Sequence, residues 1–163
     1  MRLVSRIAPF LATGMLAAQS AGAQAVTATA HVVITGGTKP GTYDTQATRA
    51  GCSIGALGKG AFGTQISDPK GAADKFNGIQ LTVPVPSAAG STQFEMHVNF
   101  GSVLNRSADF SIVTLPNARK PGGKGTVQVQ GIDGPAPSAT FDVTTADGVH
   151  LVGTVNCNSI IRM

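Results

Sequence analysis

Apolar and polar residues alternate with a period of two along most of this chain. In the segment Val26–Thr35, Val, Ala and Ile occupy one parity, and Thr and His occupy most of the other. The segments Gly78–Val85 and Thr92–Phe100 repeat this pattern, with Ile, Leu, Val, Phe and Met at every second position. Alternation of this kind is typical of β-strands that bury one face and expose the other. We therefore predict a chain built of strands.

Several further segments show the same alternation, some clearly and some weakly. The clear ones are Ala108–Leu115, Gly125–Ile132, Ala139–Thr145 and Val149–Cys157, and the weaker ones are Thr42–Thr48, Cys52–Ala56 and Ala61–Ser67. Clusters of Gly, Pro, Asn and Asp separate the segments, which is the pattern of an antiparallel sandwich or barrel of about eight to ten strands. We predict that residues 26–163 form one all-β domain, an antiparallel β-sandwich of immunoglobulin-like or jelly-roll-like type.

Turn residues and prolines add two local predictions. Asp147-Gly148 lies between two alternating segments, and this dipeptide is typical of a two-residue β-hairpin. Pro84 and Pro86 fall on the outward parity of the Gly78–Val85 segment. Because proline has no N–H to donate to a neighbouring strand, we predict that this segment is an edge strand.

A glycine-rich stretch, Gly122–Thr126, superficially resembles a phosphate-binding loop. That motif requires the lysine to be followed directly by Ser or Thr and then by a helix. Here Gly125 follows Lys124, and the residues beyond it alternate as a strand. We interpret the stretch as a hairpin connection, and its cationic tip of Arg119, Lys120 and Lys124 as a solvated turn.

The N-terminal segment has the three-part pattern of a secretory signal peptide. Arg2 and Arg6 provide a positive start, Ile7–Ala18 is a short and mostly apolar run, and two A-x-A sites follow in residues 21–25. The apolar run is too short to span a bilayer. We predict that residues 1–25 are a cleaved signal peptide, of the alanine-rich kind found in bacteria, and that the protein is exported to the periplasm or the extracellular space.

The chain contains two cysteines, Cys52 and Cys157, and both lie beyond the predicted cleavage site. Exported proteins meet oxidising conditions, which favour pairing of such cysteines. No C-x-x-C motif is present and no histidine neighbours either cysteine, which argues against a redox or metal-binding pair. Cys157 also shares the parity of Leu151 and Val155, which we expect to face the core. We predict a structural disulfide between Cys52 and Cys157.

Composition narrows the possible function classes. Charged residues make up 12% of the 163 residues, against about 25% in an average globular domain. The apolar share of 42% argues against a disordered chain, and the formal net charge of +4 partly belongs to the signal peptide. The remaining basicity is too weak to indicate nucleic-acid binding, and we expect neither a nucleic-acid partner nor a membrane span.

The three histidines are the most conspicuous candidates for chemistry. His31, His97 and His150 all fall on the polar parity of their segments, and Glu95 shares a face with His97. If those segments were neighbours, imidazoles and a carboxylate on one face would suit zinc or copper, or the site of a small hydrolase. However, the histidines lack local ligand spacing, and no G-x-S-x-G motif is present. We expect no catalytic residue, metal ligand or cofactor, and keep Glu95 and His97 as the alternative.

The size of the chain, its export signal, its single cysteine pair and its alternating N-terminal segment together resemble the subunits of chaperone-usher pili in outline. Those subunits usually carry a penultimate aromatic residue, where this chain has Arg162, and their disulfide usually joins closer positions. The resemblance implies that the Val26–Thr35 strand completes the sandwich of a neighbouring subunit. Because terminal strands usually dock within their own domain, we expect self-completion and a monomer.

These observations predict an exported, non-enzymatic module of the envelope or extracellular space, with a binding or structural role. Its expected partner is a protein, a small molecule or a glycan. The alternatives are a pilin-like assembly subunit that exchanges its N-terminal strand, and a small secreted hydrolase or metal-binding protein that uses Glu95 and His97.

Overall fold

The structure is a computed structural model, and it describes residues 25–48, 51–67, 75–102 and 106–163. The predicted signal peptide lies outside this part of the chain, apart from its last residue. The described residues contain 11 β-strands and no helix. The strands are β1 (Ala28–Thr35), β2 (Gly41–Ala47), β3 (Cys52–Ile54), β4 (Phe62–Ser67), β5 (Phe76–Val83), β6 (Glu95–Gly101), β7 (Arg106–Val113), β8 (Lys124–Gln130), β9 (Ser138–Thr144), β10 (His150–Cys157) and β11 (Ile161–Arg162).

The strands form two sheets packed face to face, which confirms the predicted all-β sandwich. The first sheet has five strands in the order β2-β1-β10-β9-β8, and the second has six in the order β11-β3-β4-β5-β6-β7. All neighbouring strands are antiparallel except β11, which runs parallel to β3. The described strands therefore begin in the first sheet with β1 and β2, form a meander in the second from β3 to β7, return to the first from β8 to β10, and end in the second with β11.

The core lies between the sheets and is built from the apolar parity of each strand. Val32 and Leu151 from the first sheet, and Leu81 and Met96 from the second, are fully buried. Apolar side chains from both sheets form one continuous cluster. The alternation in the sequence thus identifies the inward faces correctly, because successive side chains of a strand point to opposite sides.

The predicted disulfide is present and joins the two sheets. Cys157 ends β10 in the first sheet, and Cys52 begins β3 in the second. Their Cα atoms lie 6.0 Å apart, and each residue is only 2% exposed. The bridge is therefore part of the core and connects positions 105 residues apart.

The position of Gly153 in the centre of the first sheet leads to a testable prediction. A Cβ atom there would overlap the carbonyl oxygen of His31 on β1 and approach the Phe141 ring on β9 to 2.6 Å. We expect Gly153→Ala to lower the free energy of unfolding by about 1–3 kcal/mol, as overpacking does elsewhere. Urea unfolding measures this loss. Gly122→Ala is the control, because a Cβ there would meet only the Ala146 methyl group, at 3.3 Å; equal losses in both variants would contradict the packing argument.

The prediction that Pro84 and Pro86 mark an edge strand is wrong. The strand β5 ends at Val83, so both prolines lie beyond it. Within the second sheet β5 lies between β4 and β6 and pairs with both. The missing N–H of proline here limits the length of an interior strand and does not mark a sheet edge.

The hairpin predicted at Asp147-Gly148 is confirmed, but its loop is longer than two residues. Thr145 N–H donates to the Val149 carbonyl at 2.9 Å, so three residues separate the closing pair. Gly148 N–H donates back to Thr145 at 3.1 Å, and Gly148 has a φ of 88°. A turn followed by a glycine in the left-handed region is the usual form of a three-residue hairpin loop.

The hairpin predicted around Gly122–Thr126 is wrong, because β7 and β8 belong to different sheets. Residues 114–123 instead cross from the second sheet to the first, and we call them the crossover segment. Its base is closed by reciprocal backbone hydrogen bonds between Val113 and Gly122, at 2.8 and 2.9 Å. This crossing places the middle of the segment beside the outer face of the second sheet.

Candidate functional site

One candidate site in the described part of the chain is a hollow of about 600 Å³ between the crossover segment and the outer face of β6 and β7. The sheet contributes Glu95, His97, Ser111 and Val113 to it. These residues meet because the outward parity of β6 lies beside that of β7, and His97 pairs directly with Ser111 in the register. From the crossover segment the hollow is lined by Leu115, Pro116, Asn117, Ala118, Arg119 and Lys120.

His97 lies at the centre of the sheet side of this hollow and is held by carboxylates. Its Nε2 atom is 2.9 Å from Glu95 Oε1, and its Nδ1 atom is 4.0 Å from Asp109 Oδ1. Arg106 in turn donates to Asp109 Oδ2 at 3.0 Å. The side chain of His97 is 26% exposed and that of Glu95 41%. The result is a line of polar side chains, Glu95, His97, Asp109 and Arg106, along an outer sheet face that solvent reaches.

Ser111, His97 and two carboxylates are therefore neighbours, which raises the question of nucleophilic catalysis. A serine becomes a nucleophile when a ring nitrogen of the histidine accepts its proton. In this structure Nε2 of His97 is directed to Glu95 and Nδ1 faces Asp109. Nε2 is therefore the ring nitrogen that a carboxylate engages, at hydrogen-bond distance from Glu95, whereas 4.0 Å between Nδ1 and Asp109 is too long for a hydrogen bond.

The opposite wall of the hollow carries two exposed cations, Arg119 and Lys120. Within the described residues, neither side chain forms an ion pair. Between these cations and the sheet lie the half-buried apolar side chains of Val113 and Leu115. The hollow thus offers positive charge beside apolar surface. Both cations are exposed, as the sequence predicts for a solvated turn. That this turn borders a hollow depends on the crossing of the chain between the sheets, which leaves no local signal.

The other two histidines are far from this site in the fold. His31 on β1 and His150 on β10 both belong to the first sheet, and His97 belongs to the second. Their side chains point outward, so they lie on the opposite face of the sandwich from His97. His31 is 2.8 Å from Asp44, and His150 is 2.8 Å from a carboxylate of the neighbouring strand β9. The predicted outward orientation is correct, but the three histidines do not converge.

Metal binding receives no support from the geometry of the described residues. They contain no group of three or more His, Cys, Asp or Glu side chains arranged to hold a metal ion. They also contain no helix long and apolar enough to cross a membrane.

No family model, curated protein or solved structure matches the chain. Two residues near His97, Asp109 and Ser111, were not among the candidates predicted from the sequence. They share the outward parity of their strand, but only the pairing of β7 with β6 brings them to His97.

Proposed function

We propose that this protein is an exported, non-enzymatic binding module and that the hollow beneath the crossover segment is its ligand site. One observation carries the proposal: the hollow combines two cations with an apolar surface. Neither cation has an ion-pair partner in the described part of the chain. Small-molecule sites typically have volumes of about 300–1,000 Å³ and combine apolar walls with a few polar groups. The hollow has both properties.

The lining favours a small molecule that combines an anionic group with an apolar part. Arg119 and Lys120 provide the charge for the anion, and Arg can bind a carboxylate or phosphate with two parallel hydrogen bonds. Val113 and Leu115 provide surface for the apolar part. Glu95, which would repel an anion, is hydrogen-bonded to His97 on the far side of the hollow.

Anilinonaphthalene sulfonate is a suitable probe, because it carries one sulfonate on an aromatic body. We expect it to bind in the hollow with a rise in fluorescence. We expect Lys120→Glu to raise the dissociation constant about tenfold, which corresponds to about 1.4 kcal/mol of binding free energy. Fluorescence titration measures both. Lys59→Glu is the matched control, because it makes the same charge change in the exposed loop between β3 and β4. Equal weakening in both variants would show that the effect is one of net charge and not of the hollow.

Export is supported by the N-terminal sequence pattern and by the disulfide, since disulfides persist mainly in oxidising compartments. We expect the full chain, produced in a bacterium, to be recovered outside the cytoplasm with Val26 as its first residue and without free thiols. Edman sequencing and thiol titration of the fractions measure this. An uncleaved chain with two free thiols in the cytoplasm would refute the proposal of export.

The pilin-like alternative depends on the strand β1 leaving its own domain. In this structure β1 pairs along its whole length with β10 on one side and, from Ala28 to Ile34, with β2 on the other. Its inward side chains Ala28, Val32 and Ile34 are at most 2% exposed. These contacts support self-completion and a monomeric protein. Size-exclusion chromatography of the mature protein distinguishes the two, because strand exchange produces oligomers that grow with concentration.

A further inference from the structure

The hollow beneath the crossover segment has charges of opposite sign on its two walls. Arg119 and Lys120 line it from the crossover segment, and Glu95 lines it from the outward face of β6. In the part of the chain that the structure describes, neither cation forms an ion pair, so Glu95 does not neutralise them directly. A ligand that spans the hollow can therefore meet a cation at one end and a carboxylate at the other.

The carboxylate of Glu95 is accessible to such a ligand. Its Oε1 atom lies 2.9 Å from Nε2 of His97. The two oxygens of a carboxylate offer about four acceptor positions, so this contact leaves others for a second donor. The side chain of Glu95 is 41% exposed, so a group in the hollow can reach it. An ammonium group complements this carboxylate, because it carries a positive charge and only hydrogen-bond donors.

Apolar side chains lie between the two charged walls. Val113 and Leu115 are half-buried there, and Pro116 and Ala118 extend the apolar surface. An apolar group of the ligand that packs on this surface excludes water from the charges beside it. Ion pairs become stronger as the local dielectric constant falls. The lining therefore suits a ligand with an ammonium group, an apolar body and an anionic group.

We propose that the hollow binds a short apolar peptide of two or three residues with both termini free. Its ammonium group pairs with Glu95, and its carboxylate pairs with Arg119 and Lys120. A free amino acid suits the two walls less well, because it carries both charges on one carbon atom. An extended peptide of this length separates its termini by up to about 7–11 Å. The inference rests on the proposed ligand site and narrows the class of its ligand.

The size and the remaining polar groups of the hollow agree with a peptide ligand. Its volume of about 600 Å³ is about four times the volume of about 150 Å³ that holds benzene. Leucyl-leucine has roughly three times as many non-hydrogen atoms as benzene, so it fits by the same measure. Ser111 and Asn117 also line the hollow. A hydroxyl group and an amide each donate and accept hydrogen bonds, as the polar groups of a peptide bond require.

Amide NMR titration of the intact mature protein with three peptides tests the proposal. They are leucyl-leucine, its N-acetylated form, which lacks the ammonium group, and its C-terminal amide, which lacks the carboxylate. We expect leucyl-leucine to shift the resonances of Val113, Leu115 and Lys120. We expect each modified peptide to have a dissociation constant about fivefold higher, the upper range for one ion pair that solvent reaches.

Glu95→Gln, which keeps the side-chain size and removes the charge, tests the assignment of the ammonium group. This variant should bind leucyl-leucine about fivefold more weakly, and N-acetylation should then have no further effect, because the ion pair is already absent. It should bind anilinonaphthalene sulfonate at least as tightly as the wild type, because the lost charge repels that anion. Asp44→Asn is the matched control and should leave peptide binding unchanged. Asp44 also contacts a histidine, His31, at 2.8 Å, but both belong to the first sheet.

Two results overturn the inference: leucyl-leucine does not bind, or the free and acetylated peptides bind the wild type equally well. If anilinonaphthalene sulfonate still depends on Lys120 in that case, the hollow remains the ligand site and only the peptide is excluded. If Lys120→Glu and Lys59→Glu weaken the binding of that dye equally, the proposed ligand site itself fails, and this inference fails with it.

Discussion

Replacing both Cys52 and Cys157 by alanine should lower the free energy of unfolding by about 2–5 kcal/mol. The bridge closes a loop between positions 105 residues apart, and a loop of about 100 residues corresponds to about 4.7 kcal/mol in the chain-entropy account. It also joins the last residue of β10 to the first of β3, so it links the two sheets directly. Since domains are stable by about 5–15 kcal/mol, this loss removes a large part of the total.

Urea unfolding at equilibrium measures the effect of the bridge. The double variant also loses two buried sulfur atoms, so its loss combines the missing cross-link with changed packing. The wild-type protein in reducing agent is the control, because it keeps both side chains and removes only the bond. We expect most of the loss to appear already in the reduced wild type. An unchanged unfolding midpoint after complete reduction would contradict the prediction.

Phe100→Ala is expected to lower the free energy of unfolding by about 3–5 kcal/mol, the usual range for a fully buried phenylalanine. Its side chain is 0% exposed. The ring meets Tyr43 edge-on, with 4.9 Å between the ring centroids, and lies 5.5 Å from Phe76 and 6.0 Å from Phe110. Tyr43 belongs to the first sheet and the other three residues to the second. Removing this ring therefore opens a cavity where the sheets meet.

Phe76→Ala is the matched control for this prediction, since Phe76 belongs to the same aromatic cluster but is only half-buried. Its removal leaves a space that water reaches, so the expected loss is smaller. Urea unfolding of both variants measures the two losses. They can be compared directly if the free energy of unfolding depends on urea concentration with the same slope in both variants. A smaller loss of stability in Phe100→Ala than in Phe76→Ala would contradict the prediction that Phe100 is the central ring of the cluster.

The strands and their inward faces could be predicted from local pattern alone. Each clearly alternating segment is a strand in the structure, although the boundaries differ by a few residues, as for Val26–Thr35 and β1. The three weaker segments are strands as well. The two-residue strand β11 was not predicted, because Ile161 and Arg162 are too few to show a pattern; the pairing of β11 with β3 defines it.

The predicted disulfide shows why some long-range features can also be deduced. With only two cysteines in the chain, no choice of partner remains, and the parity of Cys157 already places it in the core. The sheet assignment of each cysteine was not deducible. The order of strands decides whether the bridge lies within one sheet or joins two. That order is determined by contacts between residues that are distant in the chain.

The candidate sites depend on that same order of strands. The local residues around Gly122–Thr126 suit a turn equally well in a hairpin and in a crossing between sheets, and only the crossing creates the hollow. Likewise, Asp109 and Ser111 reach His97 only through the register of β6 with β7. The bulge at Asn77 in β5 likewise follows from the pairing of β5 with β6, and no local pattern marks it.

The sequence by itself determined three properties of this protein. The period of apolar residues and the turn residues determined the fold class and the inward face of each strand, and the single cysteine pair determined the covalent link. Those features depend on neighbours in the chain or on a pairing without alternatives. The tertiary structure alone decided the sheet order, the interior position of β5, the separation of the three histidines and the hollow beneath the crossover segment. Each of these depends on which strands pair and in what register, and the packing of distant side chains in a common core determines that pairing.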